Sequence, residues 1–423
     1  MQTSYHSHKR FLILNLINHL GPISRTELIT LTEYRPASVG AIIKELLDEG
    51  LIVESGYASG GPGRRRTLLE INHSHICAVG ISISPDSASF MMAQSDGKVL
   101  EQLEMEIRTD DQQELCGLIT AQVAEMKKRH EDYRILGVGI CDPHKDPLRY
   151  QVGRTLLENY NHFDDWWYYE LKPYMENALK LPVQVFSHIT LPTIAEQSFG
   201  VAKGVRDFIL VEMSNGIGMS PCCNGAPVGG SRNAAGELGH TVVDYGDPNP
   251  KMCYCGKQGC LESTTAFPAI SEQITSALER GVSSALNGYY DRSRPLTVQD
   301  VRRALDENDQ LCRFVVRRAA QKLGVAIANV VEVLNPEMVV LYGFMLELGD
   351  YFFTNLTNSL RENLLVVSSD IRICTSVSME SGHLLGATAE IFTSYLKIAD
   401  YQWVYQMQPE DLRAHLEEET EEE

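Results

Sequence analysis

Three thiols stand close together in the run Cys253-Tyr254-Cys255-Gly256-Lys257-Gln258-Gly259-Cys260. Two glycines separate the second from the third, and glycine lets the backbone turn sharply enough for the sulfurs to converge. An imidazole is nearby at His240, in Gly236-Glu237-Leu238-Gly239-His240. Three thiolates and one imidazole make a closed tetrahedral donor set, the chemistry of one structural Zn2+ per chain. Independent core cysteines have no reason to be spaced so tightly.

The chain has 423 residues, 43% of them hydrophobic. That length suffices for more than one domain. No stretch approaches the roughly 20 apolar residues that a membrane-crossing helix needs. Met1 to Lys9 is polar and leads into a helical pattern, so no secretory signal is expected. Ten cysteines scattered outside any disulfide-like framework then fit a reduced cytoplasm. Residues 1–73 hold eight basic against seven acidic side chains, whereas the whole chain is −19 and the remainder therefore −20. A strongly acidic body repels nucleic acid, so any DNA contact must fall to the N-terminal segment. The end, Glu417-Glu418-Glu419-Thr420-Glu421-Glu422-Glu423, is expected to belong to a solvated tail over 396–423.

The N-terminal segment reads as three helices and a hairpin. Ile13, Leu16, Ile17 and Leu20 lie on one helix face, which Gly21-Pro22 ends. Ser24 and Glu27 form a capping-box pattern for a short second helix. A third runs from about Pro36 to Glu49, with Val39, Ile42, Ile43, Leu46 and Leu47 turned inward. Leu51-Ile52-Val53 and Arg66-Thr67-Leu68-Leu69-Glu70-Ile71 predict two strands around a glycine-rich tip. Together these make a winged helix-turn-helix over residues 1–73, with the third helix as the reading helix. Arg35 and Ser38 at the start of that helix, and Arg64, Arg65 and Arg66 on the wing, are the candidate DNA contacts.

From about residue 76 the pattern becomes α/β. Ile76 to Ile83, Ala88 to Ala93, Val99 to Ile107, Ile135 to Ile140, Leu181 to Phe186, Asp207 to Met213 and Met338 to Gly343 read as strands. Leu115 to Arg129 and Leu311 to Val333 read as helices, the latter as core or as a dimer seam. Two related halves are expected, a first α/β lobe over 74–200 and a second over 201–395. Trp166-Trp167-Tyr168-Tyr169 would either line a cleft or fill core.

These motifs resemble those of the ROK family of sugar kinases and sugar-responsive repressors, over about residues 8 to 395. The most specific are Gly236-Glu237-Leu238-Gly239-His240 and Cys253-x-Cys255-Gly256-x-x-Gly259-Cys260-Leu261-Glu262, supported by Leu334-Asn335-Pro336-Glu337 and Gly386-Ala387. The resemblance implies an actin-like, ribonuclease-H-like body of two lobes with a sugar cleft between them. It implies that Glu237, His240 and Glu262 bind sugar hydroxyls, with His240 also a zinc ligand. Carboxylates suit vicinal hydroxyls because each accepts two hydrogen bonds in a plane. The winged helix in front resembles the repressor branch.

A kinase of this family needs glycine-rich phosphate loops and an Asp base. Gly80-Ile81-Ser82-Ile83-Ser84-Pro85-Asp86 stands at the first loop without its Asp and glycine pair. Tyr342-Gly343-Phe344 thins the later glycines, and Ser187-His188 aligns with the family's Asn-Asp pair. Ser214-Asn215-Gly216-Ile217-Gly218 keeps part of the second loop, as a turn of the fold. Backbone cannot come close to phosphate without glycine. Ser187 and His188 are therefore carried as sugar contacts rather than catalytic groups. The expectation is a non-enzymatic, DNA-binding repressor of carbohydrate-metabolism genes. Its partners would be operator duplex, a sugar or sugar phosphate, and a second copy in a homodimer or dimer of dimers. The alternatives are an ATP-dependent sugar kinase, or a repressor controlled by a protein partner.

Overall fold

The computed structural model describes residues 2–57, 66–84, 87–108, 111–142, 171–231, 234–378 and 381–396. Its N-terminal module runs α1 (Gln2–Leu20), β1 (Ile23–Ser24), α2 (Arg25–Thr32), α3 (Pro36–Asp48), β2 (Ile52–Tyr57) and β3 (Thr67–Ile71). The capping box is formed: Ser24 Oγ accepts from the Glu27 N–H at 3.3 Å, and Glu27 Oε2 accepts from the Ser24 N–H at 2.7 Å. Pro36 opens α3, and Gly50 follows it at φ +69°, a conformation that favours glycine. The sheet has three strands, in the order β1-β3-β2, rather than the expected two. β1 is two residues long, too short to show an alternation, and its place is set by pairing Ile23 opposite Leu69.

The first lobe contains β4 (Ile76–Ile83), β5 (Ser87–Gln94), β6 (Val99–Glu106), α4 (Gln112–Arg129), β7 (Arg134–Asp142), α5 (Lys172–Leu179), β8 (Val183–Ser187) and α6 (Leu191–Phe199). The second contains β9 (Phe208–Met213), β10 (Ile217–Cys223), β11 (Ala226–Pro227), α7 (Glu262–Thr265), α8 (Phe267–Glu279), α9 (Val298–Asp306), α10 (Gln310–Leu334), β12 (Met338–Tyr342), α11 (Asp350–Glu362) and β13 (Arg372–Thr375). The sheet orders are β6-β5-β4-β7-β8 and β11-β10-β9-β12-β13, one topology used twice. In each, the chain's first strand pairs antiparallel with the second and parallel with the fourth. α10 is core: Cys312, Val316, Ala320, Leu323 and Ile327 are fully buried. A Cβ on Gly324 would meet Leu356 O of α11 at 2.6 Å, so glycine lets these two helices touch through backbone.

One expected boundary is corrected. The second lobe does not extend to residue 395. The last helix, α12 (Gly382–Leu396), crosses back and packs on β4, β7 and α6 of the first lobe. A Cβ on Gly80 would meet Leu384 O at 2.3 Å, and one on Gly139 would meet Ala387 O at 2.5 Å. The glycines of β4 and β7 therefore serve close packing of helix on sheet.

The module is not a separate ball. Ile13, Ile17, Ile42, Leu46 and Leu69 belong to one buried cluster with Ile76 and Leu136 of the first lobe and with Ile391 and Phe392 of α12. Glu49, just after α3, accepts from Arg10 Nη2 and Arg134 Nη2, both at 2.8 Å. Arg134 Nη1 also donates to Glu49 O at 2.7 Å. Among the described residues, no helix is long and apolar enough to cross a membrane.

The lobes are tied by one carboxylate. Glu196 of α6 is fully buried. Its Oε1 accepts from Ser376 Oγ at 2.5 Å, Ser378 Oγ at 2.6 Å and the Val377 and Ser378 N–H groups at 3.1 Å, all just beyond β13. Its Oε2 accepts from the Val201 N–H at 2.9 Å. Glu196→Ala would leave these donors buried without an acceptor. The expected loss is about 3 kcal/mol or more of unfolding free energy, read as a lower urea midpoint at unchanged slope.

Candidate metal centre and binding cleft

His240, Cys253, Cys255 and Cys260 come together, their ligand atoms all within 4.8 Å of one another. Cys255 Sγ lies 3.6 Å from Cys260 Sγ, and His240 Nδ1 lies 3.5 Å from Cys253 Sγ. A tetrahedral Zn2+ with Zn–S bonds of about 2.3 Å separates its sulfurs by about 3.8 Å. The donors thus already stand near the edges of such a tetrahedron, and all ten cysteines are free thiols. The turn that gathers them needs Gly256 at φ +86° and Gly259 at φ +74°. Burial pushes the Cys260 thiol up to about 12 and also raises Cys253. Burial opposes ionisation of Cys255 too, but the Lys257 N–H and the neighbouring thiols bring it below its usual value. Three gathered thiols can all ionise only beside a cation, and this donor set suits zinc.

The cluster holds the segment that carries the acidic groups. Val243 N–H donates to Gly259 O at 2.9 Å, and Leu261 N–H to Thr241 O at 2.9 Å. Lys257 Nζ donates to His240 O at 2.6 Å. His240 turns Nδ1 to the thiols and Nε2 away from them. Nε2 lies 3.9 Å from Glu237 Oε2 and 3.1 Å from Tyr254 Oη. Glu262 opens α7 and reaches back to β10, where its Oε2 accepts from the Ile217 N–H at 2.8 Å. Ser214 to Gly216 is the turn between β9 and β10, with Gly216 lying against that carboxylate. Glu237 thus stands beside His240, and Glu262 lies against the Gly216 turn and Gly239.

His188 follows β8, facing the second lobe. Its ring stacks on His383 of α12 at 3.7 Å between centroids, and its Nδ1 lies 3.8 Å from Glu212 Oε2 of β9. His383 and Glu212 were not singled out from the sequence. Their only signal is the chemistry of the side chains, since nothing in the chain order brings positions 188, 212 and 383 together. Ser187 ends β8 opposite Asp142, and its side chain lies outside the described set. Trp166-Trp167-Tyr168-Tyr169, Arg64 and Arg65 also fall outside the described residues.

In the module, Arg35 caps α3 and is exposed, Ser38 is half-buried, and Arg66 is exposed at the root of the β2–β3 hairpin. The outward face of α3 carries Ala37, Gly40, Ala41, Lys44, Glu45 and Asp48, small residues with one base and two acids.

Comparison with known proteins decides the family. The profile described as "ROK family" matches residues 78–391. The chain belongs to the ROK family. The xylose repressor of Caldicellulosiruptor bescii is 26% identical, over 93% of this chain and 97% of its own. The Escherichia coli transcriptional repressor Mlc is 25% identical, over 89% and 90% respectively. A crystal structure of a ROK transcriptional regulator, described as a homologue of Mlc, superposes with a TM-score of 0.73, 24% identity and coverage of 95% and 97%. The ROK hexokinase of Thermus thermophilus superposes at 0.61 with 22% identity, using 99% of its own chain but 75% of this one. The ROK hexokinase fold thus matches the body, and the regulator fold takes in the N-terminal module too.

Within the ROK body, Gly236 sits at φ +97°, and a Cβ there would meet Met219 O at 1.8 Å. Gly236→Ala is therefore expected to push the segment bearing Glu237 and His240 off β10. Strain at a positive-φ position should lower Tm by roughly 3–10 °C in a calorimetric scan.

Proposed function

We propose that this ROK protein is a DNA-binding transcriptional repressor of carbohydrate-metabolism genes, with a sugar or sugar phosphate as effector between the lobes. One observation carries the proposal: the match to the xylose repressor spans 93% of this chain and so takes in the N-terminal module. In this proposal α2 and α3 are the helix-turn-helix, and β2 and β3 are the wing. The small side chains Ala37, Gly40 and Ala41 let α3 approach base edges closely, and an alanine methyl suits a thymine methyl. Arg35, Arg64, Arg65 and Arg66 supply phosphate or minor-groove contacts, and Ser38 a polar one.

One Zn2+ at His240, Cys253, Cys255 and Cys260 would pin the loop between the acidic groups. Glu237, His240 Nε2, Glu262 and His188 then offer acceptors and donors to sugar hydroxyls. Glu262 commits Oε2 to Ile217 and keeps Oε1 for a hydroxyl. The chain binds sugar without transferring phosphate. The hairpin from β4 to β5 closes through the Ser84 N–H to Ser87 O at 2.8 Å and has no glycine pair to cradle phosphate.

The module shares its core with the first lobe, so closure of the cleft would move module and first lobe as one. In a homodimer or dimer of dimers, that rotation changes the spacing of the reading helices. Half-sites lie about 34 Å apart on one face of DNA, so a modest rotation breaks the match. A sugar that inverts a 99:1 preference must favour the closed state by about 5.5 kcal/mol.

Gel-shift titration against duplexes from its own genomic neighbourhood is expected to find a bound site. Arg64→Ala, Arg65→Ala and Arg66→Ala together should weaken it at low salt, with unchanged binding removing the wing from the account. A thermal-shift screen of monosaccharides and their phosphates should give a hit that Glu237→Ala abolishes. With ATP and hexoses, turnover of tens per second would overturn the non-enzymatic assignment. Metal analysis should find about one zinc per chain in these thiols, lost in Cys260→Ser.

A further inference from the structure

The junction of the two lobes holds a second group of side chains of metal-ligating type. His188, Glu212 and His383 each offer one ligand atom, and the three atoms lie within 4.8 Å of one another. The sulfur-rich cluster shares none of these residues. Two features set the group apart from a chance meeting of polar side chains. First, the Nε2 atom of His383 is buried and has no hydrogen-bond partner, while its Nδ1 stands 3.1 Å from Tyr342 Oη. A buried imidazole nitrogen without a partner is a standing penalty unless something occupies it. Second, when Nδ1–H donates to Tyr342, the Nε2 lone pair is left free. This outer hydrogen bond is the kind that fixes the tautomer of a metal-bound histidine.

Glu212 is 14% exposed and His188 38%, so both retain room to turn. A cation about 2.1 Å from each donor needs them drawn in by about an ångström, which small rotations provide.

We propose that His188, Glu212 and His383 form a second metal site, taking a first-row divalent transition cation in the interlobe cleft. Two imidazoles and one carboxylate suit zinc, iron(II), cobalt(II) or nickel(II) far better than calcium or magnesium. Three protein ligands leave open positions for water, unlike the closed thiolate centre. Its place gives it a mechanical role. His188 and His383 belong to the first lobe, following β8 and opening α12, and Glu212 belongs to β9 of the second. A bound cation is a clamp across the lobes and favours one interlobe angle.

Cobalt(II) titration of the full chain, stripped of metal, tests this directly. The thiolate centre gives an intense near-ultraviolet charge-transfer band, and the second site, having no sulfur, gives weak visible bands only. Wild type is expected to take up two equivalents per chain. Glu212→Gln and His383→Gln should each weaken the second equivalent by at least about tenfold while keeping the thiolate band. Retention of that band and a cooperative melt show that each variant is folded, and the partly exposed Glu212 covers a misfolded His383 variant. A single equivalent in the wild type overturns the proposal. So does a second equivalent that survives both substitutions. Neither result bears on DNA binding, which gel shift reads separately.

Discussion

Glu196 is the constraint on which the arrangement of the body rests. A carboxylate taken fully out of water is tolerated only when nearly every lone pair is used. Here two serine hydroxyls and two backbone N–H groups beyond β13 converge on one oxygen, and the Val201 N–H takes the other. The donors come from the second lobe and the helix from the first. Because neither half can satisfy its polar groups without the other, the lobes meet in one register. The same junction carries His188 after β8 and His383 on α12. The side chains that meet across the lobes therefore share a junction with the Glu196 hydrogen bonds.

Around that hinge the two lobes do different work. The second concentrates chemistry on a short stretch folded against β10. Gly236 and Gly239 let the 236–240 segment lie on the strand, where a Cβ would meet Met219 O at 1.8 Å or Ile217 O at 2.3 Å. The thiol cluster then ties the far end of that segment to the turn bearing Glu262. Backbone contact on one side and the four gathered side chains on the other leave the carboxylates little freedom, as the proposed sugar site requires.

The first lobe is the carrier of the N-terminal module. Glu49 holds Arg10 and Arg134 together at the end of α3, and α12 lies between strands and module with Phe392 buried and Tyr395 edge-on to Phe11. The helix that ends the described chain is thus a shared wall. It begins beside His383 at the junction of the lobes and ends against α1. This continuous packed element links cleft and module without a linker between them.

Much of this was legible from residue types. The capping box at Ser24, the strand runs, the three thiols with their glycines, and Glu237, His240 and Glu262 are all local patterns. Local patterns survive in sequence because backbone geometry and side-chain chemistry act over a few residues. β1 was missed because two residues carry no periodicity, and α12 was assigned to the wrong lobe because chain order does not say where a helix lands. Gly80 and Gly139 likewise gave no hint that α12 would press on them. The His188, Glu212 and His383 group, the burial of Glu196 and the docking of the module on β7 were decided by tertiary structure alone. Each depends on side chains far apart in the chain, and only the packing of the lobes, the module and the last helix brings them together.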